Sequence, residues 1–401
     1  MTSVATGTLV EKSRINSIDL MRGIVMVIMA LDHTRDFFHI NANVFDPTDL
    51  TRTSPILFFT RWITHYCAPT FVFLSGVSIA ISLERKTRKD LSFFLLTRGL
   101  WLVLLEVTFI RFSFVFNLYY DFNVFQVIWA IGMSMILLSA LIFIPQRWLL
   151  IIGLVIVFGH STFDFFRLQP EDKGYVVWTI LRQAGFVPIS EGHGLLALYP
   201  LIPWLGIMLT GIGLGQLYRS GFDSLKRKKL LLQLGAAAVA LFIVLRLIDV
   251  YGDPQHWSVQ KNWLFTLMSF LNCAKYPPSL LFTLMTLGPV LLLLSWMEGR
   301  ELKILNPFLV FGRVPLFYYI LHFYVIHAAS LVAFMIRYDK SLSEVDFHFF
   351  HNTFGGIPFG VGYGLPWVYV AWATLIACLY PICRWYNHYK STHRYVWLSY
   401  L

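Results

Sequence analysis

Apolar runs long enough to cross a lipid bilayer recur along almost the whole chain, and that recurrence leaves few folds open. A spanning helix needs about 20 mostly apolar residues. About ten segments qualify: 18–38, 55–82, 92–117, 123–144, 147–166, 195–218, 228–250, 278–297, 306–336 and 366–387. Two amphipathic pieces, 175–187 and 262–273, are too short or too polar to span and read as interfacial or re-entrant helices. Only 13% of the residues are charged and 57% are hydrophobic, whereas soluble domains carry roughly 25% charge. The expected fold is all-α, a polytopic integral membrane protein forming one transmembrane domain over 1–401. The Met1–Arg14 start is polar and lacks the apolar core of a signal peptide, so the first span is expected to be retained.

The formal charge of +10 does not point to nucleic acid, because in membrane proteins an excess of Lys and Arg marks short cytoplasmic loops. "ERKTRKD", "YRSGFDSLKRKK", "MEGRELK" and the tail "RWYNHYKSTHRY" fall on one side by alternation. The long acidic and aromatic loops 39–54, 164–194, 251–277 and 337–365 fall on the other. Both termini are therefore expected to be cytoplasmic, with Asp32 to His39 facing outward. The four cysteines show no metal-ligand spacing, and no metal is expected. Phosphate-cradling glycine loops, a serine elbow and a His-Glu-x-x-His pair are missing as well, which argues against ATP coupling and zinc hydrolysis.

The stretch "IDLMRGIVMVIMALDHTRDFFH", Ile18 to His39, carries a cation at one end of an apolar core and a titratable cluster at the other. Arg22 and His33 are eleven residues apart, about three helical turns and roughly 16 Å along the axis, so they share one face. Asp19, Met26, Met29 and Asp36 fall near the same face. Asp36 is one turn beyond His33, within reach of an imidazole nitrogen, and Asp32 adjoins it. A histidine oriented by a carboxylate has the makings of a general base.

Other polar residues inside apolar runs need partners or a polar cavity. Glu106 lies mid-span in "RGLWLVLLEVTFIRF", between Arg98 and Arg111, and suits either a structural ion pair or a substrate role. In "GRVPLFYYILHFYVIH", His322 and His327 lie about 140° apart around a helix, where packing is the expected role, ligation of a haem or metal would need other spans, and His322 is kept as a pocket candidate. "NCAKYPPSL" breaks an apolar run with Lys275 and two prolines, so Lys275 either walls a central pocket or reaches the interface. His65 opens the second span in "RWITHYCAPTFVFLSGVSIA".

"IDLMRGIVMVIMALDHTRDFF", taken with "APTFVFLSGVSIA", "KYPPSLLFTLMTLGP" and "PLFYYILHF", resembles the bacterial branch of the heparan-alpha-glucosaminide N-acetyltransferase catalytic-domain family, over roughly 14–390. More distantly, Arg22 and His33 match the Arg-x10-His pattern of membrane acyltransferases that acetylate surface polysaccharides. "YYILH" is similar to their Tyr-rich motif ending in His, at His322, and Arg98 in "LLTRGL" sits where they carry a basic cluster. The resemblance implies a transmembrane acyltransferase of the bacterial cytoplasmic (inner) membrane. Acetyl-CoA or another acyl-CoA would be the co-substrate from the cytoplasm, a glycan or glycolipid the outer acceptor, and a homodimer would fit. The animal enzyme of the family carries a loop histidine instead, a part that His39 or His65 could take here.

On that reading Arg22 and Arg98, with Arg313 as a third candidate, meet the CoA phosphates. His33, oriented by Asp36 or helped by Asp32, deprotonates the acceptor or itself takes the acyl group. The rival reading is a proton-coupled secondary transporter or exporter of a small solute, with Asp36, His33 and Glu106 as the proton relay.

Overall fold

The computed structural model describes residues 16–300, 302–393 and 395–400, so the reading of the Met1–Arg14 start lies outside the described residues. α1 (Asn16–Phe38) is followed by α2 (Pro55–Thr64) and α3 (Cys67–Ser82), one apolar run interrupted at His65 and Tyr66. α4 (Arg88–Leu105) continues through a π-helical turn, Glu106–Ile110, into α5 (Arg111–Val115). β1 (Phe122–Phe125) leads to α6 (Val127–Leu141), α7 (Gln146–Gly159) and α8 (Tyr175–Leu181). β2 (Gly185–Ser190) and β3 (His193–Ala197) precede α9 (Leu201–Leu214), α10 (Ser224–Ile248) and α11 (Trp263–Leu271). The chain ends with α12 (Leu280–Met297), α13 (Asn306–Arg313), α14 (Pro315–Tyr338), the hairpin β4 (Thr353–Phe354) and β5 (Ile357–Pro358), and α15 (Leu365–Thr392).

Helix starts follow local chemistry. Ser54, Asp223 and Ser279 side chains accept from the backbone N–H three residues on, capping α2, α10 and α12. Pro55 and Pro315 occupy first-turn positions, where a missing N–H costs nothing.

Among the described residues eight helical stretches are long and apolar enough to cross a membrane, and they correspond to eight of the expected segments. The protein is an integral membrane protein. The remaining two segments differ for physical reasons. Segment 123–144 begins as β1, and its helix, α6, has 15 residues, about 22 Å against a hydrocarbon core of about 30 Å. α1 has 23 residues but charged ends, and it is packed by α2, α3, α12, α13, α14 and α15 instead of lipid. Its polar stripe therefore faces protein. Peripheral α10 and α15 show the opposite pattern, with Leu232, Leu247, Trp367 and Val370 exposed.

The all-α expectation gives way to a mostly helical fold with two small sheets. β1 runs parallel to β3, pairing Phe122 with Gly194 and Phe125 with Ala197, and β2 runs antiparallel to β3. Expected span 195–218 therefore starts as a strand, expected helix 175–187 divides into α8 and part of β2, and 306–336 breaks at Val314, just before Pro315. The loop after α14 folds back onto β1, where Phe349 stacks on Phe122 at 3.6 Å and the Phe349 N–H donates to Asp121 at 2.9 Å. His327 tethers the same loop by bridging the carbonyls of Ser113 and Gly355. Where α1 crosses α13, Gly23 and Gly312 let the two backbones touch: a Cβ on Gly23 would lie 1.8 Å from the Phe308 carbonyl oxygen.

Candidate functional site

Two cavities lie along the polar stripe of α1. One, of about 290 Å³, is lined by Met29, Asp32, His33 and Asp36 of α1 and by Arg61, Lys275 and Tyr276. The other, of about 110 Å³, is lined by Arg22 and Met26 of α1, by Ser75, and by Arg98. Phe71, Val127 and Tyr319 line both and form the waist between them. The eleven-residue spacing puts Arg22 and His33 on one helical face but in different chambers.

At the His33 end both carboxylates are paired with arginines. Asp32 is buried and paired with Arg61 of α2 and with Arg35, whose guanidinium is 2.9 Å away. Arg35 also pairs with Asp36. Asp36 therefore faces an arginine, and its distance to His33 Nδ1 is 3.8 Å, a charge contact longer than a hydrogen bond. His33 Nδ1 is buried without a hydrogen-bond partner among the described residues. The ring is held by packing, 4.1 Å from Phe323 and 5.3 Å from His322, centroid to centroid. His322 is fully buried, stacks on Tyr318, and donates from Nδ1 to the Tyr318 carbonyl at 3.0 Å, which fixes its neutral tautomer.

Lys275 reaches the same cavity from the irregular segment before α12, with Nζ 5.1 Å from the Tyr276 ring centroid. Tyr276 in turn packs edge-on against Tyr199, another wall residue. Tyr276 also lines a surface groove of about 460 Å³ built from Phe163, Phe166, Arg167, Tyr175 and Phe186, so the groove and the cavity share a wall.

At the Arg22 end, Arg22 donates to Asp19 at 3.0 Å, to the Leu74 carbonyl at 3.3 Å and to the Ser78 hydroxyl. Arg98 joins it across a chamber otherwise walled by Leu102, Ile131, Met135 and Leu316. Arg313 lines neither of these two cavities, and its Nε is buried without a hydrogen-bond partner among the described residues.

Glu106 has a partner that spacing could not name. Its Oε2 accepts from the Trp129 N–H at 3.1 Å, and the Gln126 N–H also donates to the carboxyl, so Glu106 caps the N-terminus of α6. Gln126 supplies no side-chain cap of its own. The first residue of the capped helix is Val127, at the waist. Glu106 thus positions the wall and lines neither chamber.

The two loop histidines are not brought into the cavity. His39 accepts at Nδ1 from the Asn41 N–H and lies in a backbone bridge with Tyr363. Burial, and then the nearby Arg35 guanidinium, hold it below the usual histidine range. His65 is buried against Phe282, although its neighbours Thr64 and Cys67 line the cavity. Sequence reasoning missed Arg61, Tyr276 and Tyr319. Arg61 left one usable signal: a cation inside an apolar run demands a counter-charge. Among the described residues no group of three or more His, Cys, Asp or Glu side chains is arranged to hold a metal.

No curated protein matches the chain. A family model described as heparan-alpha-glucosaminide N-acetyltransferase, catalytic, matches residues 14–246. The match takes in Arg22, Asp32, His33, Arg61, Arg98 and Glu106, while Lys275, Tyr276, Tyr319 and His322 lie beyond it. Matched over more than half its length, this integral membrane protein belongs to the heparan-alpha-glucosaminide N-acetyltransferase catalytic family, a family of acetyltransferases.

Proposed function

We propose that the protein is a transmembrane acyltransferase, a single transmembrane domain that moves an acetyl group from cytoplasmic acetyl-CoA to a hydroxyl or amine of a carbohydrate-type acceptor on the opposite side. The observation that carries this reading is the pair of chambers sharing one waist, arginines in the first and His33 in the second. With the Lys- and Arg-rich loops and both termini cytoplasmic, the Arg22–Arg98 chamber receives CoA. There the two guanidiniums meet its phosphates, and the apolar walls accept the neutral pantetheine arm.

The thioester then lies near the waist, facing His33. His33 takes the acceptor's proton as the acceptor attacks the thioester carbonyl, or takes the acyl group itself before passing it on. Asp36 at 3.8 Å favours the imidazolium that forms. Asp32, held between Arg35 and Arg61, offsets part of the chamber's positive charge. The acceptor approaches through the aromatic groove past Tyr276, where Lys275 offers hydrogen-bond donors to its hydroxyl groups.

The test is transfer from labelled acetyl-CoA to a panel of glycans by purified wild type and by His33→Gln, His39→Gln and His65→Gln. The expected result is a loss of about 10²–10⁴-fold in His33→Gln with CoA binding retained. Full activity in His33→Gln, with loss in His39→Gln or His65→Gln, moves the base to a loop. Solute movement driven by a pH gradient without CoA turnover overturns the enzyme reading in favour of a transporter.

A further inference from the structure

The wall shared by the two chambers carries one side-chain polar atom that no other described residue hydrogen-bonds. Tyr319 of α14 is 3% exposed, lines both chambers, and its hydroxyl is buried without a hydrogen-bond partner among the described residues. A buried phenol normally finds a partner, and leaving one unsatisfied is unfavourable. Tyr318 and Tyr386 also carry hydroxyls without a partner among the described residues, but neither lines either chamber. The other two waist residues, Phe71 and Val127, are apolar, so among the described residues the Tyr319 hydroxyl is the one hydrogen-bonding side-chain group shared by both chambers. Its ring is fixed edge-on against His322 and Phe323, at 5.6 and 5.2 Å between centroids. Phe323 is also the ring that His33 packs against. One helix thus aims the phenol and braces the imidazole.

We propose that Tyr319 is a catalytic residue whose hydroxyl donates a hydrogen bond to the thioester carbonyl oxygen, a role that rests on the acyl-transfer reading above. As the acceptor's nitrogen or oxygen attacks, the new C–N or C–O bond forms and the carbonyl electron pair moves onto oxygen, where the Tyr319 O–H stabilises it. Collapse breaks the C–S bond and releases CoA thiolate. The acceptor's proton passes to His33 and from there to the thiolate. Tyr319 keeps its own proton throughout, and nothing is oxidised or reduced.

The test compares wild type with Tyr319→Phe by steady-state kinetics, CoA affinity and the pH–rate profile. Expected is a fall in kcat of about 10²–10³-fold, with CoA affinity within about threefold of wild type and the profile's shape unchanged, because His33 still supplies the base. A kcat within about threefold of wild type, or a matching loss of CoA affinity, overturns the proposal. Should Tyr319→Phe melt early, 3-fluorotyrosine at position 319 keeps the shape and strengthens the donor. It is expected to raise kcat below its own ionisation, and an unchanged kcat overturns the proposal. Wild type that binds acetyl-CoA without turnover overturns the transfer reading, and this one with it; active wild type beside undiminished Tyr319→Phe overturns this one alone.

Discussion

Replacing Gly23 by alanine puts a methyl group where α13 already is. The new Cβ would lie 1.8 Å from the Phe308 carbonyl oxygen and 2.6 Å from its carbon. Ordinary carbon–oxygen contact begins at about 3.3 Å, so α1 and α13 must part by roughly 1.5 Å. The obstacle is backbone, which cannot swing aside as a side-chain tip can. Gly312 lies in the same crossing, where an added Cβ would fall 1.8 Å from the Asp19 carbonyl oxygen, so the two backbones already touch at a second point and have little room to slide. Overpacking of this kind costs about 1–3 kcal/mol, and the rigid neighbour argues for about 3. The displaced end of α1 carries Arg22, whose bonds to Ser78 and Leu74 tie it to α3. Thermal unfolding in detergent reads the stability term, and acetyl-CoA affinity reads the shift of Arg22. Gly159→Ala is the control, because nothing lies within 4 Å of its added Cβ and alanine gains up to about 1 kcal/mol in helix propensity. A Gly23→Ala protein that melts with wild type and binds acetyl-CoA equally well refutes the argument.

Asp32→Asn leaves the buried Arg35 and Arg61 facing an uncharged amide, and a loss of about 3–5 kcal/mol is expected. Adding Arg61→Gln is expected to recover part of it; melting of Asp32→Asn at the wild-type temperature counts against the pairing. His39, held below the ordinary histidine value by burial and by Arg35, contributes stability above pH about 6.5 that is lost as pH falls through its lower folded value. The backbone bonds beside it, Ile40 N–H to Tyr363 carbonyl at 3.0 Å and Tyr363 N–H to Phe38 carbonyl at 2.7 Å, report the change. After correction for intrinsic rates, their amides are expected to exchange faster at about pH 5.5 than at about pH 7.5, with no difference in His39→Gln. Slower exchange at the lower pH contradicts the sign.

The chemistry most legible in the sequence was that which depends on helical spacing. Arg22 and His33 lie on one face of α1 because eleven residues make three turns, and two prolines beside Lys275 signalled backbone that lines a cavity. What the sequence hid was non-local. A short apolar run reads equally as the start of a span or as a buried strand, and β1 is set as a strand by its pairing with β3, about 70 residues later. The partner of Glu106 is a helix terminus, which no residue type announces. Asp36 was placed correctly on its face, yet spacing could not foresee that Arg35 would hold it. The interruption at His65 and Tyr66 precedes Pro69, which has no N–H for the His65 carbonyl, and the break at Val314 precedes Pro315, so both could have been read.

The waist also bears on electrical insulation. With one chamber facing each side of the membrane, as proposed, a continuous thread of water would short-circuit the membrane potential. Each elementary charge crossing 100 mV dissipates about 2.3 kcal/mol. Phe71 and Val127 present apolar surface at the junction, and narrow apolar constrictions dewet and block ions. A slender acyl carrier can push through such a plug, but a hydrated ion cannot. On that proposal passage and sealing fall to the same three side chains, Phe71, Val127 and Tyr319, and a widening that eased the entry of a bulkier acyl group is expected to admit protons as well.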